Sequence, residues 1–246
     1  MKFCLITVTF QDNLGLKKTL KSLSKFDKSL YELIIIDGGS KDETLQVIKE
    51  NSALIDKCVS EPDQGIYDAM NKGLKLVNDK NNIVSFLNAG DLALDNYFED
   101  PKKCFLENQN INYCYGGVIL VGKKKESIYM PKNFDEKSEY LQRMVFPHPA
   151  LFVKKNIFLK IGDFNPNKKI TADHEWCVRL IKSGAKGKRF DSPVVKFKLG
   201  GASLKLSAQF EVFQTALQYN RNIIIAVIFL ARQLISRFYY IYKSKC

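Results

Sequence analysis

The chain has 246 residues, 46% of them hydrophobic, enough to bury a sizeable core as one large domain or one domain with an appendage. Its 38 basic residues outnumber 26 acidic ones, and the net charge of +12 points to an anionic partner: a phosphate-bearing ligand, a membrane surface or nucleic acid. Six cysteines with no CxxC pair and no metal-ligand spacing are expected to be reduced thiols in a cytosolic protein, mostly filling its core.

The opening run KFCLITVTF (2–10) lacks a small-residue cleavage site after it and reads as a buried strand rather than a leader. A helix follows over 13–25 with Leu16, Leu20 and Leu23 on one face. YELIIID (31–37) is a second buried strand, and Ser40 and Glu43 after it are spaced as a capping box for a helix over 42–50. A short strand at 57–61 precedes a helix over 65–77, with Ile66, Met70, Leu74 and Val77 on one stripe. A fourth strand at 82–87 ends in NAGD. Buried strands alternating with helices predict βαβ units and a parallel sheet, whose ligands bind beyond the strand C-termini.

The second half is less regular. A helix near 95–107 leads to a strand at 111–121 and a basic turn, GKKK (122–125), that reads as a hairpin tip. A strand at 147–155, a helix over 171–183 ended by Gly184 and a strand at 188–199 follow. From 204 to 243 the pattern is helical, with an apolar run over 223–231.

Polar residues gather where the strands end. Asp37 closes an apolar run beside Gly38 and Gly39, which allow close backbone approach, so it is either a ligand contact or a turn and cap residue. Asn88 and Asp91 come to the same edge, as oxygen ligands for Mg²⁺ or Mn²⁺ or as a helix cap. Asp173 lies three and four residues before Trp176 and Cys177 on the apolar face of its helix. A carboxylate there is unfavourable unless satisfied or used as a general base. Glu175 and Arg179 are expected to form a solvated i,i+4 ion pair on the other face. His148, between Pro147 and Pro149, is a candidate substrate contact, whereas His174 should point away from Asp173.

The segments IIIDGGSKDET, SEPDQGIYDAMNKGL, FLNAGD, HPALF, ADHEWCVRL and GGAS, in this order over about residues 3–203, resemble glycosyltransferase family 2. The resemblance is to the bacterial polysaccharide transferases of colanic-acid and O-antigen type. It implies an α/β GT-A fold over 1–203, with a nucleotide-binding half (1–91) and an acceptor half (92–203). It also implies inverting transfer from a nucleotide-sugar donor, usually a UDP-sugar, with Mn²⁺ or Mg²⁺. Position by position, Thr9 and Phe10 should border the nucleoside and Asp37 read the base. Asp63 and Lys72 should lie near the ribose and diphosphate, beside Asn88. Asp91 should hold the metal and Asp173 act as the base. Asn88 and Gly90 stand where carboxylates are common, and Met70 where a basic residue is common.

No nucleic-acid-binding signature accompanies the positive charge. Arg221, Arg232, Arg237, Lys243 and Lys245 follow the last acid, Glu211, among Phe229, Phe238, Tyr239, Tyr240 and Tyr242. The apolar run stops at Arg232, short of the roughly 20 residues a bilayer span needs. Residues 204–246 are therefore expected to be an amphipathic extension on the inner face of the cell membrane, suited to a polyprenyl-diphosphate-linked glycan acceptor. A helix packed on the catalytic core or in a homodimer interface is the alternative. Two other classes remain: a degenerate nucleotide-sugar-binding protein, and a nucleotidyltransferase, whose Gly-rich phosphate loop TFQDNLGLKK does not supply.

Overall fold

The structure, a computed structural model, describes residues 2–122, 125–132, 141, 144–198, 206–219, 227 and 231. Its first half alternates β1 (Phe3–Thr9), α1 (Asn13–Leu23), β2 (Tyr31–Asp37), α2 (Thr44–Glu50), β3 (Lys57–Ser60), α3 (Ile66–Lys75) and β4 (Ile83–Phe86). These four strands run parallel in the order β3-β2-β1-β4. The near-continuous apolar sequences of β1, β2 and β4 follow from burial on both faces, whereas β3 is a half-exposed edge strand. Along β1, Phe3 and Leu5 join one core with Leu16, Leu20 and Leu23 of α1, while Cys4, Ile6 and Val8 join the other with Tyr67, Met70 and Leu74 of α3. Gly73 lets α3 lie against β1, since a Cβ there would come within 2.5 Å of Ile6 Cγ2.

The second half comprises β5 (Leu92–Ala93), α4 (Glu99–Glu107), β6 (Tyr113–Val121), β7 (Glu126–Tyr129), β8 (Leu151–Lys154), α5 (Lys155–Ile161), α6 (Ala172–Lys182), β9 (Gly187–Lys198) and α7 (Leu206–Tyr219). β8 joins the two halves by pairing antiparallel with β4 and β6, so the sheet is continuous but mixed. β6 also pairs antiparallel with β7, making the expected basic hairpin, and parallel with β9.

Several expectations need correction. Ser40 and Glu43 form no capping box: α2 starts at Thr44 without a side-chain cap, because Ser40 is drawn to the buried Asp37 carboxylate. The strand expected at 147–155 is only Leu151–Lys154. His148–Ala150 is a 3-10 turn, and Lys155 opens a helix. The Glu175–Arg179 pair is not solvated. Glu175 is 2% exposed, and α7 covers it, the hydroxyl of Tyr219 donating to Glu175 Oε1 at 2.5 Å. Arg179 also binds the carbonyls of Ile161, Gly162 and Asp163, closing the end of α5.

Of the helical pattern over 204–243, α7 is seen and packs on α6, its Phe213 and Ala216 meeting Val178 and Leu141. Arg232 and the aromatic residues Phe229 to Tyr242 lie outside the described residues, as does GGAS. No helix among the described residues is long and apolar enough to cross a membrane.

Candidate active site

Strand register lines up the first group of candidate residues. Thr9 is the partner of Asp37, and Asp37 that of Ser60, in one row at the C-terminal ends of β1, β2 and β3. Beyond the row, Phe10 projects with 58% exposure. A Cβ on Gly38 would fall 2.5 Å from Asp63 Oδ2 and 3.2 Å from Phe10 Cδ2. With no Cβ at Gly38, Phe10, the β2 loop and Asp63 pack closely together. The Oγ1 of Thr9 is buried without a hydrogen-bond partner among the described residues, a polar atom facing this edge with its capacity unspent.

Asp37 is fully buried, and its carboxylate is occupied by its own loop and by the end of β3. Oδ2 accepts from Ser60 Oγ at 2.6 Å, Ser40 N at 3.0 Å and Gly39 N at 3.2 Å, while Oδ1 accepts from Ser40 Oγ at 2.5 Å. Ser40 Oγ in turn accepts from the N–H of Gln11, a residue held at φ 49°. A base contact by Asp37 requires Ser40 or Ser60 to let go. What the carboxylate does in this structure is bind the β1–α1 and β2–α2 turns to each other.

Asp63 accepts from Gly65 N at 2.8 Å at the entry of α3. Lys72 reaches back over the same entry, 2.8 Å from Glu61 Oε1 and donating to the carbonyl of Pro62 at 2.9 Å. The hydrogen bond to Glu61 raises its pKa above the usual lysine value, which keeps it cationic beside this edge.

The NAGD turn is fixed by a residue with no sequence signal. Thr19 of α1 donates to the carbonyl of Asp91 at 2.8 Å and accepts from Gly90 N at 3.0 Å. Asp91 is 6% exposed, and burial pushes its carboxyl up to about 7, only partly offset by the backbone of Asn88. Asn88 Oδ1 is buried without a partner among the described residues. No group of three or more His, Cys, Asp or Glu side chains that could hold a metal occurs among them either. One carboxylate and one unspent amide oxygen fit a hard divalent cation that takes its remaining ligands from a diphosphate. They do not form a self-sufficient metal cage.

Asp173, in the first turn of α6, is partly buried. Its Oδ1 accepts from Tyr67 OH at 2.8 Å and from the N–H of His174 at 2.8 Å. Tyr67 belongs to α3, so the helix that opens beside Asp63 also holds the candidate base. The Nζ of Lys169 lies 3.4 Å from Gln64 O, a second tie between the two loops. His148 stacks on Phe86 at 5.1 Å and meets Phe164 edge-on at 5.8 Å. Burial lowers its pKa, against the opposing charge of Asp173. The sequence does not single out Tyr67, Thr19 or Ser60, and it reads Ser40 only as a helix cap. Their spacing to the residues they hold is long-range, and a single tyrosine on an amphipathic helix reads as core.

Known proteins resemble the chain at the level of family and fold. Residues 4–174 match the family described as Glycosyl transferase family 2. A PGL/p-HBAD biosynthesis glycosyltransferase of Mycobacterium tuberculosis is 27% identical over 201 residues, spanning 78% of this chain and 75% of that protein. Glycosyltransferase AglE of Haloferax volcanii is 27% identical over 187 residues, spanning 69% and 58%. Among solved structures, S. aureus TarS 1–349 in complex with UDP-GlcNAc superposes with a TM-score of 0.67 at 15% identity, over 95% of this chain and 72% of that one. The chain spans 43% of the longer TarS structure. Mannosyltransferase PcManGT from Pyrobaculum calidifontis, in complex with GDP-Man and Mn2+, superposes with a TM-score of 0.68 at 14% identity, over 93% and 69%. A GT-A sheet with its polar residues at the strand ends, matched by family over most of its length, leads to one conclusion: the chain belongs to glycosyl transferase family 2.

Proposed function

We propose that the chain is an inverting glycosyltransferase. It moves a sugar from a nucleotide-linked donor, a UDP-sugar in the first instance, to a hydroxyl of a glycan acceptor carried on a polyprenyl diphosphate, in bacterial surface polysaccharide synthesis of the O-antigen or colanic-acid type. The observation that carries this reading is the partly buried carboxylate of Asp173, held by Tyr67 with His148 close by. In the reaction Asp173 takes the proton of the acceptor hydroxyl while that oxygen bonds to the anomeric carbon. The bond from that carbon to the diphosphate oxygen breaks on the opposite face, so the configuration inverts. Thr9, Phe10 and Asp63 form the nucleoside side of the site, with Asp37 keeping their loops in place. Lys72 supplies positive charge near the diphosphate, and His148 faces the acceptor. Asp91 and Asn88 would hold Mn²⁺ or Mg²⁺, which lowers the charge on the leaving diphosphate.

UDP-GlcNAc in TarS and GDP-Man with Mn2+ in PcManGT support the donor class. Leu206, Phe210 and Leu217, exposed at i, i+4 and i+11 along α7, support an association of this helix with a membrane surface. Binding of UDP- and GDP-sugars to the full chain, followed by nucleoside diphosphate release with and without Mn²⁺, tests the reading. Release with no inversion at the anomeric carbon, or no binding of any nucleotide-sugar, would overturn it. A second reading, a nucleotide-sugar-binding protein without turnover, is favoured by the thin metal set around Asp91. Binding without release in any acceptor mixture would select it.

A further inference from the structure

The peptide group joining Ile170 and Thr171 is held on both sides. Its N–H donates to Glu211 Oε2 at 2.9 Å, and its carbonyl accepts from Tyr67 OH at 2.6 Å. Glu211 belongs to α7, far along the chain. Its carboxylate also accepts from the N–H of Lys169 at Oε1 and of Ile170 at Oε2, both at 3.0 Å, and from Thr171 Oγ1 at 3.1 Å. Lys168 Nζ donates to the carbonyl of the same residue at 3.1 Å. α6 has no side-chain cap of its own, since Thr171 at its N-cap makes no such bond. A carboxylate from another helix therefore gathers three successive backbone donors on the turn leading into α6. It also places negative charge at the positive end of that helix.

We propose that Glu211 is a positioning residue for Asp173, which makes α7 part of the catalytic apparatus. The proposal rests on the reading of Asp173 as the general base. The connection is short. Tyr67 has one hydroxyl proton and two acceptors in reach, the carbonyl of Ile170 and Oδ1 of Asp173. Where that carbonyl sits is set by the peptide that Glu211 grips. If the 169–171 turn rotates, the share of the tyrosine proton given to Asp173 changes, and so does the direction of the carboxylate. A misplacement of about 1 Å in a catalytic group can cost on the order of 10²-fold in rate. The second tie between the helices, Tyr219 to Glu175 and on to Arg179, fixes α7 against the body of α6 and leaves Glu211 to set its start.

The test uses the full chain and compares Glu211→Ala with Glu211→Gln. Nucleoside diphosphate release from a panel of UDP- and GDP-sugars gives kcat and KM, and amide hydrogen exchange reads the 169–174 turn independently of activity. Glu211→Ala should lose about 10- to 100-fold in kcat with donor KM within about twofold. Exchange should quicken at 169–174 and stay unchanged in β1. Glu211→Gln, which keeps one acceptor oxygen, should recover a large part of the rate. Wild-type kcat in Glu211→Ala, or unchanged exchange at 169–174, overturns the proposal. So does a loss of kcat matched by loss of donor binding and of protection in β1, the mark of a merely structural residue. Full activity in Asp173→Asn removes the base reading itself. An inactive Asp173→Asn with a fully active Glu211→Ala removes only the positioning role.

Discussion

The hydroxyl of Tyr67 on α3 lies 2.8 Å from Oδ1 of Asp173 on α6. Asp173→Asn should lower transfer by about 10²–10⁴-fold, the usual scale for a general base, with nucleotide affinity nearly unchanged. Tyr67→Phe should lose a smaller factor and leave nucleotide affinity intact, since the ring stays packed on Phe164. Steady-state kinetics beside a nucleotide titration checks both. An Asp173→Asn enzyme at full rate would remove the base assignment.

Asp91→Asn keeps the shape of the NAGD turn and removes its carboxylate. Added Mn²⁺ should then no longer raise UDP affinity or Tm, while metal-free UDP binding changes little. Calorimetric titration with and without Mn²⁺ reads this. An unaltered metal response would place the ion elsewhere.

Asp37→Ala should act on the fold before it acts on the base. Ser40 Oγ, Ser60 Oγ and two backbone N–H groups lose a charged acceptor inside the structure. The expected loss is about 2–3 kcal/mol of stability, because hydrogen bonds to charged groups are the stronger ones. Urea unfolding measures it. Binding of UDP and of free pyrophosphate should weaken together, whereas selective loss of UDP would show that Asp37 reads the base directly.

His148 gives the pH dependence. Burial holds its folded pKa below the ordinary value near 6.5. Above that value the imidazole is neutral in both states and its contribution is complete. As pH falls below it the unfolded chain takes up a proton that the folded one refuses, so stability drops until the folded pKa is reached. His148→Phe keeps the stack on Phe86 and should flatten the fall of Tm as pH drops below about 6.5. The same variant should weaken acceptor use if His148 contacts the acceptor. An unchanged Tm profile would place the acid sensitivity in other groups.

Membrane association should survive or fail according to where the chain is cut. Truncation after Tyr219 should weaken binding to anionic liposomes without abolishing it, because α7 keeps its exposed Leu206, Phe210 and Leu217, and should leave donor turnover intact, because the bonds of α7 to α6 are kept. Truncation after residue 205 removes Glu211 and Tyr219 and should lower turnover as well. Co-sedimentation of the Tyr219 truncation at the level of the full chain would sink the surface-binding reading of residues 220–246.

How much of this was legible in the sequence differs from element to element. Strands β1, β2 and β4 and their helices follow from local pattern, since burial on both faces demands uninterrupted apolar runs and the leucine spacing of α1 admits only one buried face. The family resemblance, too, rests on residue identities in order, which the matched region 4–174 bears out at family level. The start of α2 and the strand before α5 were misread because the competing interactions come from elsewhere: Asp37 takes Ser40 from its cap, and His148 stacks on Phe86 of another strand.

Glu175 and Arg179 looked solvated because the helix that covers them follows after a separation of about 40 residues, and periodicity carries no information about what packs on a polar face. The sequence by itself determined which side chains are apolar, where strands end and that carboxylates stand at those ends. Only the tertiary structure decided which donors satisfy each carboxylate. Asp37 accepts from four donors gathered from two strand ends, while Asp173 accepts from the N–H of His174 and shares the Tyr67 proton with the carbonyl of a peptide whose N–H donates to Glu211 of α7. A carboxylate's role depends on the donors that surround it, and those donors come together through long-range packing that local sequence does not encode.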